Sequence, residues 1–285
     1  IQMYVAKEAT QSSRIEGTQT NIEDALKESA DLSPEARDDW GEVQNYIRAI
    51  RFAIDGLERL PLCNRLLRET HEVVRGAHKR PGEFRESQNW IGVSLKNAVF
   101  VPPHHDHVPA LMADLEALLH DPEPIAPPLV RIALAHYQFE TIHPFLDGNG
   151  RLGRLMISLY LASEKLLTKP ALYLSDYFER NKTAYVDHLM AVREGHHMRE
   201  WLIFFLHGVE ETARASIEIF RQILMIKEQV EREVLPRFAA RRQDNVHTLM
   251  RNLYARPIID VKGVSQQLGV TVNTAASLIS DLVQY

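Results

Sequence analysis

His143-Pro144-Phe145-Leu146-Asp147-Gly148-Asn149-Gly150-Arg151-Leu152-Gly153-Arg154 brings a histidine, a carboxylate, three glycines and two arginines to the passage from one helical stretch to the next. Unpaired backbone N–H groups and the positive dipole end make a helix N-terminus a natural place for phosphate. Gly148 and Gly150 permit a tight turn and a close approach of the backbone to a ligand. Asn149 can brace that turn or donate to a phosphate oxygen. Arg151 and Arg154, three positions apart, emerge on one helix face, and each can grip phosphate oxygens with paired N–H groups. Asp147 is the kind of oxygen ligand that Mg2+ takes beside nucleotide phosphates. His143, four residues earlier, offers an imidazole that can accept a proton from a hydroxyl. Together these are the parts of a phosphoryl- or nucleotidyl-transfer site, where catalysis is mostly positioning and electrostatics. Gly148 to Gly153 also satisfies GxGxxG, but the dinucleotide fingerprint requires a preceding strand and a βαβ unit. Here helical patterns lie on both sides. A capped helix with solvent-facing charges would not need this whole set of residues.

Working outward, most of the chain reads as helix. Trp40, Val43, Ile47, Ile50 and Ile54 recur at helical spacing after a start signal at Ser33-Pro34-Glu35. Leu66, Leu67, Val73 and Val74 continue toward Gly76. From Asn89 to Val101 the composition turns to β-formers, which predicts a hairpin turning near Ser94 to Asn97. Helix resumes over Val108 to His120, and the proline-rich connector Asp121 to Pro128 follows. Val130 to Thr141 delivers the chain to His143, and Arg151 to Leu166 leaves the motif. Asp187 to Val192 and Arg199 to Val209 are expected as separate helices. A further helix is expected from about Glu211 to Val234, with Ile217, Phe220, Leu224 and Val230 on its buried side and Pro236 ending it. Val261 to Leu268, a turn at Gly269 to Thr271, and Val272 to Gln284 have helix-turn-helix spacing.

The 285 residues, 45% hydrophobic, suffice for one large domain, or for a main domain plus a small one. A net charge of -5 argues against bulk nucleic acid as the main partner. The single cysteine, Cys63, excludes an intrachain disulfide framework and suits a reducing cytoplasm. No apolar run approaches a membrane span; Trp201 to Leu206 is far too short. The chain opens on Ile1 without a signal peptide and ends at Tyr285 within a helical pattern, so both termini are expected to be incomplete. His104-His105-Asp106-His107 and His196-His197 read as solvated helix caps, and His136 as a satisfied core histidine.

The motif resembles the signature of the Fic family, H-x-F-x-D/E-G-N-G-R-x-x-R, at every specified position, and the similarity extends over about residues 65–210. The resemblance implies a mainly α fold: a Fic-type helical bundle with a β-hairpin flap. It implies an adenylyltransferase in which His143 deprotonates a Ser, Thr or Tyr hydroxyl of a protein that then attacks the α-phosphorus of ATP. Asp147 would hold Mg2+. Gly148, Asn149, Gly150, Arg151, Leu152, Gly153 and Arg154 would hold the nucleotide, and Phe145 would anchor the loop. Tyr177, Asn181 and Tyr185 match the family's nucleotide-flanking segment, although Val186 stands where relatives often carry a second tyrosine. The 89–101 hairpin would register the target by strand addition. Ser12-Ser13-Arg14-Ile15-Glu16-Gly17 resembles the family's inhibitory pattern, in which Ser12 and Glu16 would be the key positions and Glu16 would pair with Arg154.

The expected organisation is an N-terminal helical region with the inhibitory motif (1–64), a Fic domain (65–210), a linker helix (211–240) and a truncated winged-helix-like domain (241–285). Residues 236–285 hold six Lys/Arg against three Asp/Glu, so DNA contact, protein docking and homodimerisation all stay open for the tail. Self-modification, removal of AMP and transfer of another phosphate-containing group are rival readings within the enzyme class. A nucleotide-sensing DNA-binding regulator is the rival outside it.

Overall fold

Apolar residues recur at helical spacing along most of the chain, and helices form accordingly. The computed structural model describes residues 2–27, 29, 32–76, 80–92, 94–123, 125–167, 172–255 and 258–284. α1 (Gln2–Ile15) is followed by the short α2 (Ile22–Leu26), whose first turn is capped by the Asn21 side chain accepting from the Asp24 N–H at 2.8 Å. After Ser33-Pro34, a 3-10 turn leads into α3 (Arg37–Gly56), which buries Val43, Ile47 and Ile50. α4 (Asn64–Arg75) stops at Gly76 and packs along α3.

The expected hairpin is present but short. β1 (Ile91–Gly92) pairs antiparallel with β2 (Ala98–Phe100), with Ile91 opposite Phe100. The turn falls where the sequence places it: Ser94 Oγ accepts from the Asn97 N–H, opening a 3-10 turn. Trp90, Ile91, Val99 and Val101 are exposed.

α5 (Val108–Leu119) precedes α6 (Pro128–Ile142), which starts on the last proline of the connector. Proline is tolerated there because the first-turn N–H has no helical acceptor. α7 (Asn149–Ser163) is buried along nearly its whole length and packs on α6. α8 (Ser175–Arg180) and α9 (Lys182–Gly195) follow. α1 lies against α8, α3 and α7, so the N-terminal helix contributes to the same core as the motif.

Two expectations about the next segment are corrected. The helices expected at 199–209 and 211–234 are one unbroken helix, α10 (Met198–Gln229), continued by a π turn at Val230–Val234. Gly208 does not break it: a Cβ there would strike the Tyr177 ring, so the glycine permits close packing. The expected buried side is largely open, with Ile217 52% and Leu224 57% exposed and only Phe220 stacked, on Tyr4. Pro236 lies in a 3-10 turn beyond the helix end.

α11 (Ala240–Ala255), α12 (Val261–Leu268) and α13 (Val272–Val283) build a second, separate core from Val246, Leu249, Val264, Ala275 and Leu278. Asp260 and Thr271 cap α12 and α13, and Gly269 turns between them at φ +63°, as the helix-turn-helix spacing predicts. Among the described residues no strand follows β2, so the described tail is helical without a wing. No described helix is long and apolar enough to cross a membrane.

Candidate functional site

α6 ends at His143, whose left-handed backbone (φ +50°) turns the chain out of the helix and into the loop. Phe145 is fully buried and stacks on the His71 ring, with 3.8 Å between centroids. His71 accepts the Gly82 N–H at Nδ1 (2.9 Å), so its Nε2 carries the hydrogen and donates to the Asp147 carbonyl (2.9 Å). Burial pushes the His71 pKa down to about 4, which keeps the ring in this neutral state. Asn149 closes the loop from inside: its Oδ1 accepts the Phe145 N–H and its Nδ2 donates to the Phe145 carbonyl, both at 2.8 Å. Of the two roles the sequence leaves open for Asn149, the structure uses its side chain as the brace.

Burial sets the charge state of the base candidate. Burial first, with Arg193 and Arg85 assisting, lowers the His143 pKa to about 4, against upward pulls from Glu16 and the Glu140 carbonyl. The imidazole is therefore neutral at physiological pH. Its Nδ1 is buried, which leaves Nε2 as the nitrogen able to meet a hydroxyl.

Asp147 is 62% exposed at its side chain; Oδ1 accepts the Gly148 N–H at 2.6 Å and Oδ2 pairs with Arg75 at 2.6 Å. One exposed carboxylate is the kind of oxygen ligand that could hold Mg2+, which keeps waters and shares its sphere with phosphates. Gly148 holds φ +81° ahead of α7.

The arginines at the start of α7 are buried and already matched. Arg151 pairs with Glu42 on α3 at 2.9 Å, and its carbonyl accepts from the Tyr46 hydroxyl at 2.8 Å. Arg154, 3% exposed, donates to Ser12 Oγ and the Ser12 carbonyl, each at 2.9 Å, and to Glu16 Oε1 at 2.6 Å. Burial works to lower its pKa, but Glu16 and other acidic neighbours prevail and raise it. A Cβ at Gly150 would strike the Glu16 carboxylate, so that carboxylate lies directly against the turn. Gly153 is similarly close to Glu140, whose buried carboxyl is raised to about 7 by desolvation. Leu152 is fully buried and contributes packing.

Of the three downstream positions, Tyr185 lies beside Arg154, while Tyr177 and Asn181 bond to each other at the end of α8. Tyr185 is buried, stacks on Phe178 and donates its hydroxyl to His136 Nε2 at 2.8 Å. His136 Nδ1 donates in turn to the Gly153 carbonyl at 3.0 Å, so His136 is the satisfied core histidine expected. Tyr177 packs on Phe204, and its carbonyl accepts from Asn181 Nδ2 at 2.9 Å. His104 caps the 3-10 turn before α5, and both His104 and His105 lie against Asp106.

Sequence reasoning missed Glu42, Arg75, His71 and Arg85. His71 and Arg75 share a helix face at i, i+4, a spacing that could have paired them. Glu42 is 109 positions from Arg151 and Arg85 is 58 from His143, so no local pattern marks either.

Comparison with known proteins agrees with this geometry. The Fic/DOC family model matches residues 61–161, and the Fic/DOC family N-terminal model matches residues 1–55. The chain is 31% identical over 122 residues to protein adenylyltransferase fic-1 of Caenorhabditis briggsae, a match covering 38% of this chain and 23% of that protein. It is 29% identical over 218 residues to protein adenylyltransferase Fic of Drosophila yakuba, covering 73% of this chain and 41% of the relative. The chain thus spans well under half the length of these relatives. The crystal structure of a Fic family protein from Desulfovibrio desulfuricans G20 superposes with a TM-score of 0.66 at 23% identity, covering 99% of this chain and 80% of that one. The two matched segments together take in more than half of the chain and contain both Glu16 and the loop, and the chain belongs to the Fic/DOC family.

Proposed function

We propose that the chain transfers AMP from ATP to a Ser, Thr or Tyr hydroxyl of a protein, and that Glu16 holds this activity in check. The observation that carries the reading is the run from a neutral imidazole at His143 to two buried arginines, bridged by the left-handed turn at Gly148 that opens α7 without a side-chain cap. The names of the adenylyltransferase relatives give the reaction its class. In the step proposed, His143 Nε2 takes the hydroxyl proton and the oxygen bonds to the α-phosphorus. The α–β phosphoanhydride bond breaks and pyrophosphate leaves. Asp147 would hold Mg2+, which supplies charge neutralisation for the leaving phosphates. Arg151 and Arg154 would grip the terminal phosphates, and the N-terminal end of α7 would face them. The exposed edge of the 91–100 hairpin would receive the target strand.

Glu16 supports the inhibitory part of the reading, because its carboxylate occupies the guanidinium that a γ-phosphate would need. Glu16 is also the largest upward influence on His143, which favours a second reading: Glu16 and His143 together orient a water that removes AMP. ATP labelled on the α-phosphate separates these from a kinase. AMP transfer leaves the α label on protein and no γ label, whereas the reverse activity strips label from a preformed AMP-protein. Retention of γ label on protein would refute the reading.

A further inference from the structure

His143 adopts a left-handed conformation immediately before a proline, and that combination is disfavoured twice. Residues other than glycine seldom take positive φ, and the residue preceding proline is biased toward extended backbone. Such strain persists only where surrounding contacts over-determine it. The contacts to the three carbonyls around it come from one residue. Arg85 Nε donates to the His143 carbonyl at 2.9 Å, one terminal nitrogen donates to the Ile142 carbonyl at 3.3 Å, and the Arg85 main-chain N–H donates to the Pro144 carbonyl at 2.8 Å. Three consecutive carbonyls, on either side of and including the strained residue, are thus held by residue 85.

The same guanidinium reaches the hairpin. It donates to the Ser87 carbonyl at 3.3 Å before β1 and to the Pro103 carbonyl after β2. Arg85 is 3% exposed, and no described carboxylate offsets its burial. Burying a cation against carbonyls alone is costly, and burial does lower its pKa. A planar fork with five N–H donors can join three chain segments at once, which a point charge cannot. Two further links run parallel: Asn89 Nδ2 donates to the Phe145 carbonyl at 3.1 Å, and Arg193 stacks over Phe100 of β2 while donating to the Glu140 carbonyl.

We propose that Arg85 is a positioning residue for the transfer step: it holds His143 in the left-handed turn that aims the imidazole and ties that turn to both roots of the hairpin. A target strand seated on the hairpin would then be in mechanical register with the base. This inference rests on the AMP-transfer reading, so the test carries a readout that needs no activity.

The parent for the test is the Glu16→Gly chain, compared with Arg85→Met and Arg85→Lys in the same background. Arg85→Met is expected to lower kcat for AMP incorporation about a hundredfold with KM for ATP within about threefold, as a small misplacement of a reacting group does. Arg85→Lys should recover at least about tenfold of that loss, since one or two carbonyls remain within reach of an ammonium. Backbone amide exchange should accelerate at residues 142–149 and at the hairpin roots in Arg85→Met, with α3 and α4 unchanged. A kcat within about threefold of the parent, a loss expressed wholly in KM, or unaltered exchange at 142–149 would overturn the proposal. A parent that incorporates no AMP would instead remove the functional reading, and the exchange result would still decide Arg85's part.

Discussion

At its His143 end the loop is fastened by bonds to backbone, whereas at its Arg154 end it is fastened by charge. Asn149, His71 and Arg85 hold Phe145, Asp147 and His143 through main-chain groups and leave the imidazole Nε2 free; the one ion pair at this end, Arg75 with Asp147, is open to solvent on its carboxylate side. Arg151 and Arg154 are instead matched by Glu42 and Glu16, carboxylates brought in by the N-terminal region. In the proposed function that difference would decide where control sits. The acid–base half would be built in advance, and the anion grip would be engaged by side chains that a phosphate has to displace.

Four measurements would break or sharpen that contrast. The largest effect is expected from His143→Ala, which should lower AMP incorporation by about 10²–10⁴-fold without weakening ATP binding, since a general base acts on the step and not on the nucleotide. Equal losses in binding and turnover would mean that the two ends are not separable. Next, Glu16→Gly should raise incorporation about ten- to a hundredfold, the range for removing a charge-assisted contact worth roughly 1.5–3 kcal/mol. An unchanged rate would show that the grip is not the point of control. The Glu42 side chain is as open to solvent as that of Glu16, each 39% exposed, but its contact with Arg151 is longer, 2.9 Å against 2.6 Å, and stands without a neighbouring serine, so the pairing is set at about 0.2–1 kcal/mol. Glu42→Gln should therefore lower KM for ATP about two- to fivefold at constant kcat, and a fall in kcat would assign Glu42 to the chemistry instead.

The smallest effect concerns stability. Glu8 on α1 is buried against Ser175, and desolvation raises its carboxyl to about 7 from 4.5. A group with a raised folded pKa holds its proton longer in the folded state, so its stabilising contribution is present below about pH 4.5 and fades as the pH climbs to about 7. The buried His71, His136 and His143, with lowered pKa values, act in the opposite direction at acid pH. Comparing Glu8→Gln with the parent isolates the first contribution: the Tm of the variant relative to the parent should climb by a few degrees from pH 5 to pH 8. A flat difference would mean that α1 is docked without a buried acid.

Much of this site can be read in sequence because it is local. The loop, the helices flanking it, the turn at Ser94 and the Asp260 and Thr271 caps all follow from neighbours a few positions apart. What eluded reading is long-range. The helices expected at 199–209 and 211–234 are one helix, α10, and the close packing of Tyr177 on Gly208 within it is a contact that only folding reveals. Ile217 and Leu224 have the periodicity of a buried face, yet the core closes before reaching them. Glu42, Arg75 and Arg85 reach the loop from α3, α4 and the segment before the hairpin, so only folding reveals them. Tyr185 has the chemistry of a nucleotide contact, but the structure commits its hydroxyl to His136.

The contrast is tested most directly by incubating the Glu16→Gly chain, alone and with a cell lysate as acceptor, with ATP labelled on the α-phosphate. The account predicts that label becomes covalently attached to protein, that the unaltered chain incorporates far less, and that adding His143→Ala to Glu16→Gly abolishes attachment. Label that accumulates equally with and without His143 would contradict it.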